Sequence, residues 1–184
     1  MTISNAYKLR AMQEEDIPSL AQVHSLGRTS YFDFVKQSDL EQISYNSYLN
    51  SRQKLSADKD NKVMTLVATF NDQVIGFCDY GFLSEDNFKR ADYIETLKVF
   101  KGELINLFLH PDHQGNGVGG QLFDEARRVL NERQLMPFML WTLRENKRAR
   151  TLYEKKGGVV VKDLELPVQF GQNEYPQVAY RFDG

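Results

Sequence analysis

The stretch 104–123 constrains the fold of this chain more than any other part of it. An apolar, β-forming run fills 104–109, and the glycines Gly115, Gly117 and Gly119 follow directly before an amphipathic helix pattern. Glycine lets the backbone approach a ligand closely because it has no Cβ. The start of a helix also offers unpaired N–H groups and the positive end of a dipole, which suit an anion. The stretch therefore predicts a strand, a loop that cradles a phosphate or pyrophosphate, and a helix.

A second segment makes the glycine loop more informative, because a glycine triplet alone is a weak signal. Residues 146–157 read Asn-Lys-Arg-Ala-Arg-Thr-Leu-Tyr-Glu-Lys-Lys-Gly, and the loop reads Gln114-x-x-Gly117-x-Gly119. Together they resemble the two signatures of the GCN5-related N-acetyltransferases (GNAT): Gln/Arg-x-x-Gly-x-Gly/Ala, and Asn-x-x-Ala-x-x-x-Tyr-Glu-Lys-x-Gly. They occur in the family's order, with one helix and one strand between them.

The resemblance implies a single-domain α/β fold over residues 1–184. Its central sheet is mixed, mostly antiparallel and splayed at strands 4 and 5, with helices on both faces. The length of 184 residues favours one domain independently of the resemblance. Residues 84–101 depart from the family pattern, and the spacing of their apolar residues predicts an insertion or lid.

Hydrophobic periodicity and turn residues place the individual elements. Asp16 is predicted to cap a first helix that ends at Gly27, and Ser38 with Glu41 predicts a capping box for a helix reaching about Asn50. Residues 51–62 are polar and predict a loop. Strands are predicted at 7–10, 63–70, 74–82, 103–109, 137–142, 159–166 and 177–182, and further helices at 118–130 and 146–156.

Composition excludes several classes of protein. The net charge of −2 gives no overall attraction to nucleic acid, and no apolar run is long enough to cross a membrane. The amino-terminal residues show no signal-peptide pattern, and Cys78, the single cysteine, excludes an internal disulfide, so we expect a cytoplasmic protein. His110, His113 and the distant His24 do not form a ligand set, so no metal site is expected.

The resemblance implies that acetyl-CoA is the acetyl donor and assigns its binding residues. The pantetheine arm would pair with strand residues Leu107, Phe108 and Leu109. The loop contains no Lys or Arg, so binding would depend on backbone N–H groups and the helix dipole. We hypothesise that Lys147, Arg148 or Arg150 contacts the sugar phosphate, the alternative being a solvated helix face. The remaining assigned residues are Gln114, Gly115, Asn116, Gly117, Val118, Gly119, Gly120, Asn146 and Tyr153.

Acetyl transfer to an amine needs a base, stabilisation of an oxyanion and a proton for the departing thiolate. The resemblance assigns the general acid to Tyr153, whose other interpretation is a core aromatic residue. Glu103 is the candidate base, acting directly or through water, although a lone carboxylate at a strand end is a common surface feature. Asp79 and Tyr80 are weaker candidates for the base. The family commonly uses direct transfer, and Cys78 has no neighbour in sequence that would activate it.

The acceptor is the least determined part of the prediction. The aromatic-rich segment 31–34 resembles that of family members that acetylate polyamines and small amines, and four carboxylates could attract a cation. We therefore expect a small cationic amine or polyamine as the acceptor. A peptide or protein N-terminal or lysine acetyltransferase is the alternative enzyme, and a catalytically silent acetyl-CoA-binding regulatory domain is the alternative of another class. Homodimers are frequent in the family, but no pattern here marks an interface. The residues behind the acceptor prediction are Tyr31, Phe32, Phe34, Tyr45 and Tyr48, with Asp33, Asp79, Glu95 and Glu103.

Overall fold

A seven-stranded sheet organises the computed structural model, which describes residues 7–31, 33–41, 45–58, 62–83 and 94–184. The strand order is β1-β2-β3-β4-β5-β7-β6. The strands are β1 (Lys8–Ala11), β2 (Val63–Phe70), β3 (Gln73–Phe82), β4 (Gly102–Leu109), β5 (Phe138–Leu143), β6 (Val159–Phe170) and β7 (Asn173–Phe182). The helices are α1 (Ile17–Tyr31), α2 (Gln37–Glu41), α3 (Tyr45–Ala57), α4 (Ile94–Leu97), α5 (Val118–Glu132) and α6 (Lys147–Lys155).

Strands β4 and β5 are the parallel neighbours in this sheet, and the other neighbouring pairs are antiparallel. The predicted mixed, mostly antiparallel sheet is thus confirmed. The pairing of β4 with β5 covers only Gly102, Glu103 and Leu104 opposite residues 138–140. Beyond it, residues 106–109 pair only with β3 and residues 141–143 only with β7. The two strands diverge there, and we call the resulting opening the β4–β5 cleft.

Helices cover both faces of the sheet, as predicted. Successive strand residues point to opposite faces. Phe77 of β3 packs with Leu20 and Val23 of α1, whereas the next residue, Cys78, packs in the cluster that contains Phe123 of α5. The sheet therefore has one hydrophobic core under α1 and another under α5.

The two helices that carry the sequence signatures begin where the sequence predicts. Helix α5 follows Gly117, which has a left-handed backbone, and buries Val118, Leu122 and Phe123 on one side. Asn146 caps α6, because its side-chain oxygen accepts a hydrogen bond from the Ala149 N–H at 3.1 Å.

Helix α1 begins at Ile17, as predicted, but its predicted end and its predicted cap are wrong. Gly27 is buried inside the helix, which continues to Tyr31. Asp16 does not cap α1: its carboxylate accepts two hydrogen bonds from Arg10 of β1, at 2.6 and 2.8 Å, and one from the Gln13 N–H at 2.8 Å. The hydrogen bonds from Arg10 hold the pKa of the Asp16 carboxyl below its usual range. The carboxylate thus ties the start of α1 to the first strand.

The predicted loop at 51–62 and capping box at Ser38 are also wrong. Residues 51–57 belong to α3, whose buried residue is Arg52 rather than an apolar side chain, so the hydrophobic pattern failed there. Helix α2 begins at Gln37, and Ser38 lies inside it.

The closing hairpin is longer than predicted at both strands. Pro167 and Pro176 interrupt the sequence pattern, yet they lie opposite each other inside the β6–β7 pairing. Pro167 is on an edge strand, where a missing N–H group is tolerated.

Only the end of the predicted insertion 84–101 can be placed, since residues 84–93, with Phe88 and Ala91, lie outside the described part. Leu97 and Phe100 are buried and pack against Met139 of β5 and Ala179 of β7. These two residues extend the core, and the insertion or lid at 84–101 stays a prediction.

Candidate active site

A cavity of about 630 Å³ occupies the β4–β5 cleft. Residues of both diverging strands contribute to its wall, together with residues of α1, the glycine loop, α6 and the β6–β7 hairpin. Its described wall consists of His24, Arg28, Leu104, Ile105, Asn106, Leu107, Phe108, Leu109, Gly115, Gly117, Gly119, Gly120, Trp141, Thr142, Leu143, Asn146, Arg148, Ala149, Thr151, Leu152, Tyr153, Lys155, Val168, Phe170 and Gln177.

The glycine loop forms one wall of this cavity. Gly115 and Gly117 have φ values of +82° and +79°, and open space lies where a Cβ atom would be. Gly117 caps α5 without a side chain, and the first turn of the helix contains no acidic residue. Gly119 and Gly120 in that turn also line the cavity. The wall therefore combines open space, helix-start N–H groups and the positive end of a helix dipole, which together suit a phosphate.

The three basic residues at the start of α6 have different positions. Arg148 lines the cavity, and its guanidinium donates a hydrogen bond of 2.6 Å to the Gln114 side-chain oxygen. Arg150 does not line it; this residue donates to the Tyr180 hydroxyl at 3.1 Å and to the Arg144 carbonyl at 3.2 Å. Lys147 is exposed and not part of the wall. Of the three hypothesised phosphate contacts, the geometry is compatible with Arg148.

Most of the predicted cofactor residues come together in the wall, but three do not. Val118 is fully buried in the core under α5. Gln114 lies behind the wall, where its amide donates to the Ser30 hydroxyl at 3.2 Å and its oxygen accepts from Arg148. The side chain of Asn116 is exposed and donates to loop carbonyls. The predicted residues that do line the cavity are Leu107, Phe108, Leu109, Gly115, Gly117, Gly119, Gly120, Asn146 and Tyr153.

Tyr153, the predicted general acid, is both a core residue and a wall residue. Its side chain is 7% exposed, and its ring centroid lies 6.1 Å from that of Phe123 and 5.8 Å from that of Tyr180. Tyr153 can therefore pack in the core as an aromatic residue and also face the cavity, where the predicted general acid would have to lie.

The predicted bases do not line the cavity. Glu103 is 6% exposed and sits in register between Gly81 of β3 and Met139 of β5. Tyr80 lies in the core under α5, where burial raises its pKa to about 12.

Asp79, the other weaker candidate for the base, is 1% exposed. Its carboxylate accepts hydrogen bonds from Arg52 at 2.8 Å, Thr65 at 2.6 Å and Asn106 at 2.9 Å. Asn106 lines the cavity, so Asp79 reaches the site only through that amide.

The carboxylates proposed to attract a cationic acceptor are not at the cavity either. Asp33 is exposed in a turn, and Glu95 is exposed with Lys98 at 2.6 Å. With Asp79 and Glu103 buried elsewhere, none of the four belongs to the wall that the structure describes.

The aromatic residues named with them are also dispersed. Tyr45 is exposed, Phe34 packs with Val35 and Leu40 near the β6–β7 hairpin, and Tyr48 stacks on His24. Phe32 and the side chain of Tyr31 lie outside what the structure describes.

Sequence reasoning missed a second wall, which α1 and the β6–β7 hairpin contribute. His24 and Arg28 are four residues apart on α1 and both line the cavity. The Arg28 guanidinium carbon lies 4.6 Å from the ring centroid of Phe170 at the end of β6. The signal was a polar pair at helical spacing next to an apolar stripe, which is easily taken for a solvated edge of the helix.

His24 is packed between aromatic rings. Its ring stacks on Tyr48 at a centroid distance of 3.8 Å and meets the edge of Phe108 at 4.7 Å. Burial, with the positive charges of Arg28 and Arg52, lowers its pKa to about 3. The imidazole is therefore neutral at neutral pH.

The low pKa of His24 makes stability depend on pH. In the unfolded chain a histidine binds a proton below about pH 6.5, while folded His24 stays neutral until about pH 3. The unfolded state thus binds more protons in that window, and the free energy of unfolding falls as the pH decreases through it. We expect His24→Phe, which keeps an aromatic ring on Tyr48, to flatten this dependence in urea titrations between pH 3 and 6.5. An unchanged slope would contradict the assignment.

The described residues show neither a metal-binding cluster nor a membrane-spanning helix. Among the residues described, no group of three or more His, Cys, Asp or Glu side chains is placed to hold a metal ion. The His110 ring nitrogen instead accepts a hydrogen bond from the Asp112 N–H at 3.3 Å. None of the described helices combines the length and the apolar character needed to cross a bilayer.

Comparison with known proteins identifies the arrangement. The sequence model of the acetyltransferase (GNAT) family matches residues 21–158. An uncharacterized N-acetyltransferase from Archaeoglobus fulgidus is 28% identical over 166 residues, which cover 89% of this chain and 97% of that protein.

Solved structures share the fold at low sequence identity. The PaiA N-acetyltransferase from Thermoplasma acidophilum, crystallised with coenzyme A, is 17% identical with a TM-score of 0.69, covering 96% of this chain and 99% of that one. A GCN5-related N-acetyltransferase from Rhodopseudomonas palustris is 17% identical with a TM-score of 0.72, covering 100% and 99%.

Proposed function

Because the chain belongs to the acetyltransferase (GNAT) family and is therefore an acyltransferase, we propose that it moves the acetyl group of acetyl-CoA directly onto the primary amine of a small molecule. The observation that carries this proposal is the cavity of about 630 Å³ in the β4–β5 cleft, whose wall includes the glycine loop, α1 and α6. A cavity of this size can hold part of an anionic donor together with a small acceptor.

We place acetyl-CoA along β4 and the glycine loop. Its pyrophosphate would lie against Gly117, Gly119 and Gly120, and its pantetheine arm along Leu107 to Leu109, which lie beyond the three register positions that join β4 to β5. The structural neighbour crystallised with coenzyme A supports this use of the fold.

The reaction needs a neutral amine, whose nitrogen attacks the thioester carbonyl carbon. The carbon–sulfur bond then breaks, and the thiolate takes a proton. We propose that Tyr153 provides this proton and that Glu103 accepts the proton of the amine through water, because Glu103 does not line the cavity.

The narrower prediction of a small cationic amine or polyamine loses its main argument, since its four carboxylates do not line the described wall. A primary amine on a small molecule is the part that we retain. A peptide or lysine acceptor and a silent regulatory domain stay as alternatives. The cytoplasmic location, the absence of a nucleic-acid partner and a homodimer stay as predictions.

Free-thiol release from acetyl-CoA tests the proposal directly. The purified protein would be offered amino acids, aromatic amines, polyamines and N-terminal peptides, and acetyl-CoA binding would be measured separately by calorimetry. Saturable release with a small amine supports the proposal. Binding of acetyl-CoA with release only for peptides would favour the peptide acetyltransferase, and binding without any release would favour the regulatory domain.

Tyr153→Phe separates catalysis from binding. Removing one hydroxyl leaves the ring in its place between Phe123 and Tyr180, so we expect unchanged acetyl-CoA affinity with kcat lower by about 100-fold, the range of a lost general acid.

Glu103→Gln is expected to lower kcat without affecting acetyl-CoA binding. Normal turnover in either variant would remove that residue from the mechanism.

Arg148→Ala tests the phosphate contact. An exposed charge pair is worth about 0.3–1 kcal/mol, so acetyl-CoA affinity should fall by roughly two- to fivefold at low salt. The effect should shrink in 0.5 M NaCl because the charges are screened. Lys147→Ala, an adjacent exposed cation outside the wall, is the control and should bind as the unchanged protein does. Equal affinities for both variants would refute the role of Arg148.

A further inference from the structure

We propose that the acceptor carries a carboxylate in addition to its primary amine, and that Arg28 binds this carboxylate. The acceptor would then be a small amino acid or a related amino-carboxylic acid, and not a polyamine. This inference rests on the proposed function and specifies the acceptor for the same site.

The position of Arg28 is the first argument. It extends from α1 into the wall of the cavity and lies over the Phe170 ring at 4.6 Å, with Val168 and Leu143 also in the wall. A guanidinium group is planar and donates paired hydrogen bonds to a carboxylate. The attraction between a guanidinium and the face of an aromatic ring favours this position of the group.

The charge of the cavity is the second argument. The ionised side chains in the described wall are Arg28, Arg148 and Lys155, all of them cationic, and the described wall contains no carboxylate. Two buried carboxylates are engaged with other side chains: Asp79 with Arg52, and Asp39 with Asn173 and Tyr175. A polyamine would bring two or more positive charges into a cationic site, whereas an amino acid brings an anion.

Arg148 and Arg28 lie on different helices and contact different parts of the chain. Arg148 of α6 is hydrogen-bonded to Gln114 beside the glycine loop, where the phosphates of the donor are proposed to lie. The Arg28 guanidinium of α1 lies over the Phe170 ring of the β6–β7 hairpin. We assign the first cation to the donor and the second to the acceptor.

Burial of Arg28 adds a third argument. The loss of solvent around this guanidinium lowers its pKa to about 10, so the group remains a cation at neutral pH but is poorly hydrated. A charge in that environment gains more from an anionic partner than an exposed one does.

The distance along α1 fits a small acceptor. His24 is one turn before Arg28, about 6 Å along the helix axis, and its ring meets Phe108 at the end of β4. The thioester is proposed to lie along this strand end. A molecule held at Arg28 by its carboxylate therefore needs to span only about one helical turn to bring its amine to the thioester.

Matched acceptors test the inference. Thiol release would be measured for each of a set of L-amino acids, for its carboxamide and for the amine that lacks the carboxyl group, with spermidine as the polyamine. Amino acids whose amine lies farther from the carboxylate, such as β-alanine and 4-aminobutanoate, establish the spacing. We expect kcat/KM to fall at least tenfold from the acid to its amide. Equal values for acid and amide, a preference for spermidine, or no release with any acid would overturn the inference.

Variants then connect the preference to Arg28. Arg28→Met should bring the acid-to-amide ratio close to one while acetyl-CoA affinity and the unfolding temperature stay unchanged, and Arg28→Lys should restore part of the ratio. Arg133→Gln, an exposed arginine outside the wall, is the control that retains the full ratio. An equal loss for acid and amide in Arg28→Met, or a loss of acetyl-CoA affinity, would contradict a role in binding the acceptor. Amide or polyamine turnover would leave the proposed function in place, whereas absence of acetyl-CoA binding by the unchanged protein would refute both.

Discussion

Gly119→Trp should abolish acetyl-CoA binding, with a loss of at least about 100-fold in affinity, or ~2.7 kcal/mol. Gly119 lies in the first turn of α5 and lines the cavity. A Cβ atom there already comes within 3.3 Å of a Leu109 methyl group, so a larger side chain has to extend into the cavity. An indole ring would occupy the space proposed for the pyrophosphate and block the helix-start N–H groups. Calorimetric titration with acetyl-CoA measures the effect.

Gln121→Trp is the matched control for this substitution. Gln121 is exposed, lies two residues further along α5 and is outside the wall of the cavity. It places the same side chain on the same helix without filling the site, so acetyl-CoA affinity should be retained. If Gly119→Trp is folded by circular dichroism and still binds acetyl-CoA normally, the placement of the pyrophosphate is wrong.

Asp79→Ala is expected to lower the free energy of unfolding by about 3–5 kcal/mol. The substitution leaves the buried guanidinium of Arg52 without the carboxylate at 2.8 Å and removes an acceptor from Thr65 and Asn106. A buried charge that loses its partner retains its desolvation penalty but not the compensating attraction. Urea unfolding at neutral pH gives the magnitude.

Two further variants define the origin of that loss. Asp183→Ala breaks an exposed pair with Arg181 and should cost less than about 1 kcal/mol. Replacing both buried partners, as Asp79→Leu with Arg52→Met, should cost less than Asp79→Ala alone, because no charge is then left unpaired. A double variant as unstable as the single one would show that packing, and not the charge, is responsible.

The parts of the site that sequence predicts well are those whose conformation depends on residues close together in the chain. The glycine loop requires positive φ values and open space, and Gly115 and Gly117 have both. Asn146 caps α6 because its partner N–H group is only three residues away. In such places the residue and its partner lie within one turn of chain, so the sequence contains the whole interaction.

The parts that sequence missed depend on distant partners. The polar residues around Arg52 predicted a loop. Nothing near Arg52 in sequence shows that Asp79, 27 residues later, pairs with it inside the protein. No local pattern marks Arg28, because the ring it contacts, Phe170 of β6, lies near the other end of the chain. The acceptor wall is assembled from α1 and the hairpin at the opposite end of the chain, so no local pattern contains it.

The three register positions that join β4 to β5 also make the sheet a structure of two leaves. One leaf contains β1 to β4 and the other β5 to β7. Strand pairing between them is confined to Gly102, Glu103 and Leu104 of β4 with their partners on β5, preceded by one main-chain hydrogen bond from the Lys101 N–H to the Pro137 carbonyl. Local opening follows such boundaries, and it is detected as amide hydrogen exchange. A ligand in the cleft touches both leaves and stabilises the closed pair through its binding free energy. Acetyl-CoA would then slow amide hydrogen exchange on β4 and β5 together, because it holds the two leaves in contact.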